Sequence, residues 1–377
     1  MKKGFVKQRI IMQFLLLLTM SCFIFCRQNV SAASAKNRII SNSNKVVVIR
    51  TSYATGGFND GWGGVMEAVP NKDSDVYELY DVVIWDDRIS LYKFPGNIDD
   101  ASDEFFKNHP EYDTRNNKEY EKGWRAFREE CCLDTHMVKS SEASPGTNSK
   151  KRLSAYKSFF KKIKERTSNS SSYIIKYSGH GQDEMFCGNL NRNDTINILK
   201  FSKKLFGKKF SIIDYGTNCK SGKTSVLKMY QDYTDYMIVN QLDFGGFEYD
   251  DDKDCKIYDQ VDTDMVYDKM FVSGETMKDA AIRMAKQHTI IWPYAKNDLK
   301  KHHNPQSVTV VDMNAFKKLM KSASAYISKG SDLKSSIKKS GNKSLSKKYN
   351  KAVIFYGNDK KQIGKWSNSY GNGITND

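Results

Sequence analysis

Short apolar runs alternate along the chain with longer stretches whose apolar positions recur every three or four residues. Residues 45–50 (Lys-Val-Val-Val-Ile-Arg) and 80–85 (Tyr-Asp-Val-Val-Ile-Trp) are short and rich in β-branched or aromatic side chains, which predicts strands. A glycine-rich stretch, 54–64, lies between them. Helical spacing over 117–131 is followed by a polar loop at 140–149 and a basic helix over 151–165. Two further runs, 173–177 and 210–214, bracket a segment in which Ile196, Leu199, Leu205 and Phe206 share a helical face. A strand–helix–strand crossover makes its two strands parallel. Helix 223–230 and strand 236–240 continue the alternation, and helices follow at 277–287 and 313–327. The second of these has Phe316, Leu319, Met320, Ala323 and Ile327 on one stripe. Residues 351–356 read as a last strand, at an edge or as a small addition. The pattern predicts one main α/β domain around a mostly parallel sheet.

Two short motifs stand directly after neighbouring runs of that sheet: Tyr-Ser-Gly-His-Gly at 177–181 and Gly-Thr-Asn-Cys at 216–219. In an open parallel sheet ligands bind at the carboxyl ends of the strands, so topology brings His180 and Cys219 to one rim although 39 residues separate them. A free thiol has a pKa of about 8.5, and a neighbouring imidazole raises the fraction present as nucleophilic thiolate. His180 would return the proton to a leaving amine. The N–H groups of Gly181 and Cys219 would face the developing oxyanion.

These residues resemble the cysteine peptidases of the caspase, legumain and clostripain superfamily (clan CD), and the clostripain-like members most closely. In that pattern a hydrophobic strand ends in His-Gly, and after a spacer a second one ends in a small residue and the catalytic Cys. Residues 235–249 are similar to the strand and loop that clostripain-like members use beside the specificity pocket, and 216–222 to the legumain form of the Cys loop. The resemblance implies a caspase-like three-layer α/β/α sandwich and an endopeptidase acting on protein or peptide substrates. It makes His180 the general base, Cys219 the nucleophile and Gly181 an oxyanion donor. Clostripain-like members usually carry Asp-Ala-Cys and cut after Arg or Lys. Here Thr217 and Asn218 precede Cys219, and the nearest upstream acid, Asp214, is five positions away. Asp214, Asp243 and Glu248 are therefore the candidates to recognise a basic side chain. Members are often made as zymogens that cut themselves between the two motifs. Arg192, in the polar stretch 189–194, is the first candidate for such a cut, with Lys203-Lys204 and Lys208-Lys209 as competitors, giving an intact monomer or a two-chain form.

The amino terminus adds a compartment. Lys2, Lys3, Lys7 and Arg9 flank an apolar stretch from 10 to 25, and Val-Ser-Ala at 30–32 offers a small-residue cleavage site near Ala32. This predicts a signal peptide over 1–32 and a secreted protein; an uncleaved anchor and a lipidated Cys22 are the competing readings. The peptidase domain is then expected over 33–270, with a helical, Lys-rich extension and its final strand over 271–377. Cys131, Cys132, Cys187, Cys219 and Cys255 remain after cleavage, and an odd number leaves at least one thiol unpaired within the chain. The adjacent Cys131 and Cys132 read as helix-face packing.

The net charge of +16 falls to +11 when the five basic residues of the signal leave. Much of the excess is local: residues 317–350 hold ten lysines against the single acid Asp332. A solvated helical face with a loose Lys/Ser linker is the plain reading, and attachment to an anionic cell surface is the functional one. No aromatic interleaving suited to nucleic acid occurs there. The peptidase chemistry requires no cofactor. The acids at 250–254, with Asp259, Asp262 and Asp264, supply oxygen ligands of the kind calcium takes, on which clostripain-like members often depend, but their spacing matches no known ligand loop. His288, His302 and His303 lack metal-site spacing and read as surface histidines. Two alternatives to the peptidase stay open. One is an inactive secreted binding protein of the same fold. The other is a phosphate-cradling loop at 216–224, in which five residues rather than four precede Gly-Lys-Thr.

Overall fold

The computed structural model describes residues 39–53, 76–85, 88–93, 98–112, 115–138, 149–169, 171–178, 186, 190–216, 220–241, 271–289, 307–327, 332–358 and 373–376. Nine strands form one sheet: β1 (Val46–Tyr53), β2 (Tyr77–Ile84), β3 (Arg88–Tyr92), β4 (Cys132–Met137), β5 (Ser172–Ser178), β6 (Phe210–Tyr215), β7 (Thr234–Val239), β8 (Ser307–Asp312) and β9 (Val353–Asn358). Their order is β4-β3-β2-β1-β5-β6-β7-β8-β9. The central five, β2 to β7 in that order, are parallel, and an antiparallel pair closes each edge. Parallel strands require crossovers, and the helices that make them cover both faces.

The strands alternate two apolar faces residue by residue. Val47, Ile49, Tyr80, Val82, Tyr173, Ile175 and Ile213 face one layer of helices. That layer holds α3 (Ser149–Arg166), α4 (Arg192–Phe206), α5 (Thr224–Tyr230), α7 (Met313–Ala323), α8 (Leu333–Lys339) and α9 (Lys343–Ala352). Val46, Val48, Leu79, Ile174, Ile212 and Ile238 face the opposite side, packed against α6 (Met277–Gln287). On that same side Val83 meets α1 (Ile98–Asn108) and α2 (Asn117–Cys131) through Phe105 and Phe127. The result is the expected three-layer α/β/α sandwich.

The Lys/Ser-rich region departs from expectation. In place of a loose linker it folds into α8 and α9, capped by Asp332 and Asn342 and burying Leu333, Ile337, Leu345, Tyr349 and Ala352. The spacing of those five side chains makes each helix amphipathic, and the lysines occupy the outer turns. Residues 39–377 form one compact unit. β8 and β9 extend the same sheet past β7, so the segment from 271 onward builds the sheet's edge; the expected boundary at 270 lies outside the described residues. The last strand is indeed an edge strand. Cys131 closes α2 while Cys132 opens β4, so the pair straddles a helix–strand junction and does not share a helix face. Both are free, and burial pushes the Cys131 thiol up to about 12. The signal segment, residues 1–38, lies outside the described residues, and among the described ones no helix is long and apolar enough to cross a membrane.

Candidate active site

β5 and β6 are adjacent and parallel, with Ile174 opposite Ile212 and Lys176 opposite Asp214. Their carboxyl ends therefore leave the sheet at one edge, Tyr177 packing edge-on against Tyr215 with ring centroids 6.0 Å apart. His180 follows the last residue of β5 by two positions and Cys219 follows that of β6 by four. His180, Gly181, Cys219, Asp243 and Glu248 lie outside the described residues, as do the glycine-rich stretch after β1 and the acidic run at 250–264.

The Cys loop is described on both sides of its centre. At its root, Asp214 is buried to 1% and accepts three hydrogen bonds. His288 Nε2 donates to both its oxygens, at 2.9 and 3.0 Å, and the Gly216 N–H donates to Oδ1 at 2.9 Å. Because an ionised carboxylate only accepts, the His288 proton sits on Nε2. Burial works to raise the Asp214 pKa, but the His288 imidazole, the Lys176 charge and the Gly216 N–H together hold it below the usual carboxylate range. A Cβ on Gly216 would stand 2.7 Å from His288 Nε2, so glycine is what lets the chain pass this close to the pair.

Two sequence readings are corrected here. His288, expected at the surface, has a side chain only 8% exposed, because it ends α6, whose apolar face lies on the sheet beside β6. Asp214, a candidate for recognising substrate, turns its carboxylate toward α6 and spends it on His288 and Gly216. The histidine is 74 positions from Asp214, and the only local hint of its place is that it follows an amphipathic helix directly.

Beyond the centre, Lys220 adopts a left-handed backbone with φ of 51°, a conformation that costs a side-chain-bearing residue about 1 kcal/mol. The next residues are pinned. Ser221 Oγ donates to the Tyr215 carbonyl at 2.9 Å and accepts from the Asn240 N–H at 2.9 Å. The Gly222 N–H donates to the Asn240 carbonyl at 2.7 Å, and the Gly222 carbonyl accepts from the Thr375 N–H at 3.1 Å. Thr224 N–H donates to the Thr375 carbonyl at 3.0 Å. A phosphate cradle would need such N–H groups directed at one anion. Those of Gly222 and Thr224 are committed to Asn240 and Thr375 instead. Asn240 is itself held by Ser307 of β8, whose Oγ donates to its Oδ1 at 2.9 Å.

Beneath this rim, four adjacent strands carry a row of buried charge at one level: Asp81 on β2, Arg50 on β1, Lys176 on β5 and Asp214 on β6. Each stands two residues beyond an apolar side chain on the α6 face, namely Leu79, Val48, Ile174 and Ile212. Arg50 Nε donates to Asp81 Oδ1 at 2.5 Å. Two carboxylates thus face two cations, a balance that buried charge requires. Arg192 occupies the first turn of α4, after the N-cap Asn191, and is not in a loop. Among the described residues no cluster of His, Cys, Asp or Glu is arranged to hold a metal. His109 and His136, without obvious partners in the sequence, lie beside Glu111 and Asp134.

No protein-family model matches the chain, and no curated protein matches it. Solved structures do. One is a secreted C11 cysteine protease from Bacteroides thetaiotaomicron in complex with an irreversible peptide inhibitor, with 12% identity and a TM-score of 0.51 over 83% of this chain and 85% of that one. A second structure of a secreted C11 cysteine protease from that organism, iotapain, has 13% identity and a TM-score of 0.46 over 88% and 93%. An inactive zymogen C11 protease from Parabacteroides distasonis has 10% identity and a TM-score of 0.44 over 85% of each chain. At such identity the first likeness is one of fold: the chain has the fold of a C11 cysteine protease.

Proposed function

We propose that this chain is an exported cysteine endopeptidase, with Cys219 as nucleophile and His180 as base and acid. The observation that carries the reading is the release of the His-Gly and Cys motifs from two adjacent parallel strands at the same end of a C11-protease fold. His180 takes the Cys219 proton, and the thiolate attacks the carbonyl carbon of the scissile bond. Negative charge gathers on the carbonyl oxygen, where the N–H groups of Gly181 and Cys219 receive it; a donor of this kind contributes about 3 kcal/mol in other hydrolases. The C–N bond then breaks as His180 protonates the departing amine, leaving a thioester on Cys219. Water, losing its proton to His180, hydrolyses the thioester to a carboxylic acid and the free thiol. The pins at Gly216 and at Ser221–Gly222 support this reading, since a nucleophile held from both ends of its loop loses little freedom on reaching the attack geometry.

Recognition of Arg or Lys before the cut falls to Asp243 or Glu248, because Asp214 is engaged internally. Self-processing at Arg192 requires the first turn of α4 to open, since a peptidase takes its substrate extended; a cut at Lys208 or Lys209, beyond the helix, requires instead the start of β6, with its buried Phe210, to come free. Export rests on the basic, apolar and small-residue order of 1–32, and agrees with the secreted Bacteroides protease of like fold. The test is hydrolysis of peptide amides bearing Arg, Lys, Asn or Asp at the cut, with and without calcium. The mature protein is compared with Cys219→Ala and His180→Ala, each expected to lower kcat by at least about 1,000-fold. Turnover that survives Cys219→Ala would remove Cys219 as the nucleophile, and none after nicking between the two motifs would leave the inactive binding protein of the same fold as the better account.

A further inference from the structure

The two helical layers differ sharply in charge. α3, α4, α5, α7, α8 and α9 carry twenty-three Lys and Arg against two acids, Glu165 and Asp194. On the other face, the described side chains of α1, α2 and α6 include eight basic and seven acidic ones. The basic helices are neighbours: α3 packs on α4, α7 on α5 and α9, and α8 on α9, all over one apolar core. Of the twenty-three, only Arg152 is buried. Asp232, in the turn after α5, pairs with Lys317, and the rest of the excess is not matched by acids of the same helices.

We infer that this face is a docking surface for a linear polyanion, a polymer bearing phosphate groups at close intervals. The lysines that make it come from segments as distant in sequence as 150 and 351, so it is a property of the folded layer and not of a tail. Its helices turn their large apolar side chains into the core. Among the described residues the exposed large apolar side chains closest to it in the fold are only Tyr326, after α7, and Met137, on the edge strand β4 that packs on α3. Among the described residues no cluster of exposed apolar side chains is presented to a lipid surface, and no set of aromatic rings to bases. Flexible ammonium groups stepping from one helix to the next suit a flexible chain of charge, met without sequence preference. The inference stands apart from the peptidase chemistry, whose motifs leave the sheet at its rim.

The experiment uses the mature full chain and immobilised long-chain inorganic polyphosphate, with phosphatidylglycerol vesicles as a second arm. One variant, Lys161→Glu/Lys200→Glu/Lys318→Glu/Lys347→Glu, changes four exposed lysines of α3, α4, α7 and α9. Its control, Lys107→Glu/Lys118→Glu/Lys278→Glu/Lys286→Glu, makes the same change in net charge on the other face. Counterion release predicts that wild-type affinity for polyphosphate falls at least about 1,000-fold between 50 and 200 mM salt. At 50 mM salt the first variant is expected to weaken binding by about 100-fold or more and the control by less than about 3-fold, each with a wild-type circular dichroism spectrum. Equal losses in the two variants would reduce the effect to net charge and overturn the proposal. So would no retention of wild type on polyphosphate, or stronger binding to the vesicles than to the polymer.

Discussion

At the scale of single residues, Asp214 carries the most consequence. Its carboxylate joins the end of β6, the end of α6 and the root of the Cys loop through His288 and Gly216. Because its folded pKa lies below the ordinary value, ionised Asp214 contributes stability that is present above about pH 4 and is lost as pH falls through the folded value. Urea midpoints measured between pH 6 and 2.5 should thus fall for the wild type, and more gently for Asp214→Asn, which begins lower at neutral pH by about 1–3 kcal/mol. Parallel curves would remove Asp214 as a source of the acid sensitivity. None of this was legible in the sequence. A carboxylate after an apolar run reads equally well as a substrate contact, and its partner is reached through tertiary packing alone. His180 and Cys219 could be proposed from the sequence for the opposite reason, since their motifs are local and follow strands directly.

At the scale of elements, the predicted strands over 45–50, 80–85, 173–177, 210–214 and 236–240 all lie in the parallel centre, where burial on two faces writes an unbroken apolar run. The edges were harder to read. β4 (Cys-Leu-Asp-Thr-His-Met) is half polar, because one edge has less to cover it. β8 (Ser-Val-Thr-Val-Val-Asp) carries a plain β-branched signal yet follows a long stretch without a clear pattern. α8 and α9 were hidden by composition: each shows two or three apolar positions among many lysines, and only the interval between them marks a buried stripe. Leu345→Ala, which empties one such position against the core, is expected to cost about 2–4 kcal/mol in chemical denaturation. A change within 0.5 kcal/mol, the size typical of a surface site, would return the region to a solvated appendage.

At the scale of the whole molecule, the sheet does not stop at residue 270, beyond the last of the peptidase-like sequence motifs. A fragment of residues 33–270 would lack α6, β8, β9 and the helices between them, and with them His288, Ser307 and much of the core on both faces. It is expected to give no cooperative urea transition, whereas the mature chain gives one; a sharp transition in the fragment would make 271–377 separable. The contact between Thr375 and the far side of the Cys loop adds a constraint of order in time. Gly222 and Thr224 meet Thr375 about 150 residues later in the chain, so a polypeptide still emerging from the ribosome or crossing a membrane holds the far side of that loop through Tyr215 and Asn240 alone. The arrangement postpones the last contacts of the rim until residue 375 has been made, and a chain cut short before it would carry both motifs with the second lacking those contacts.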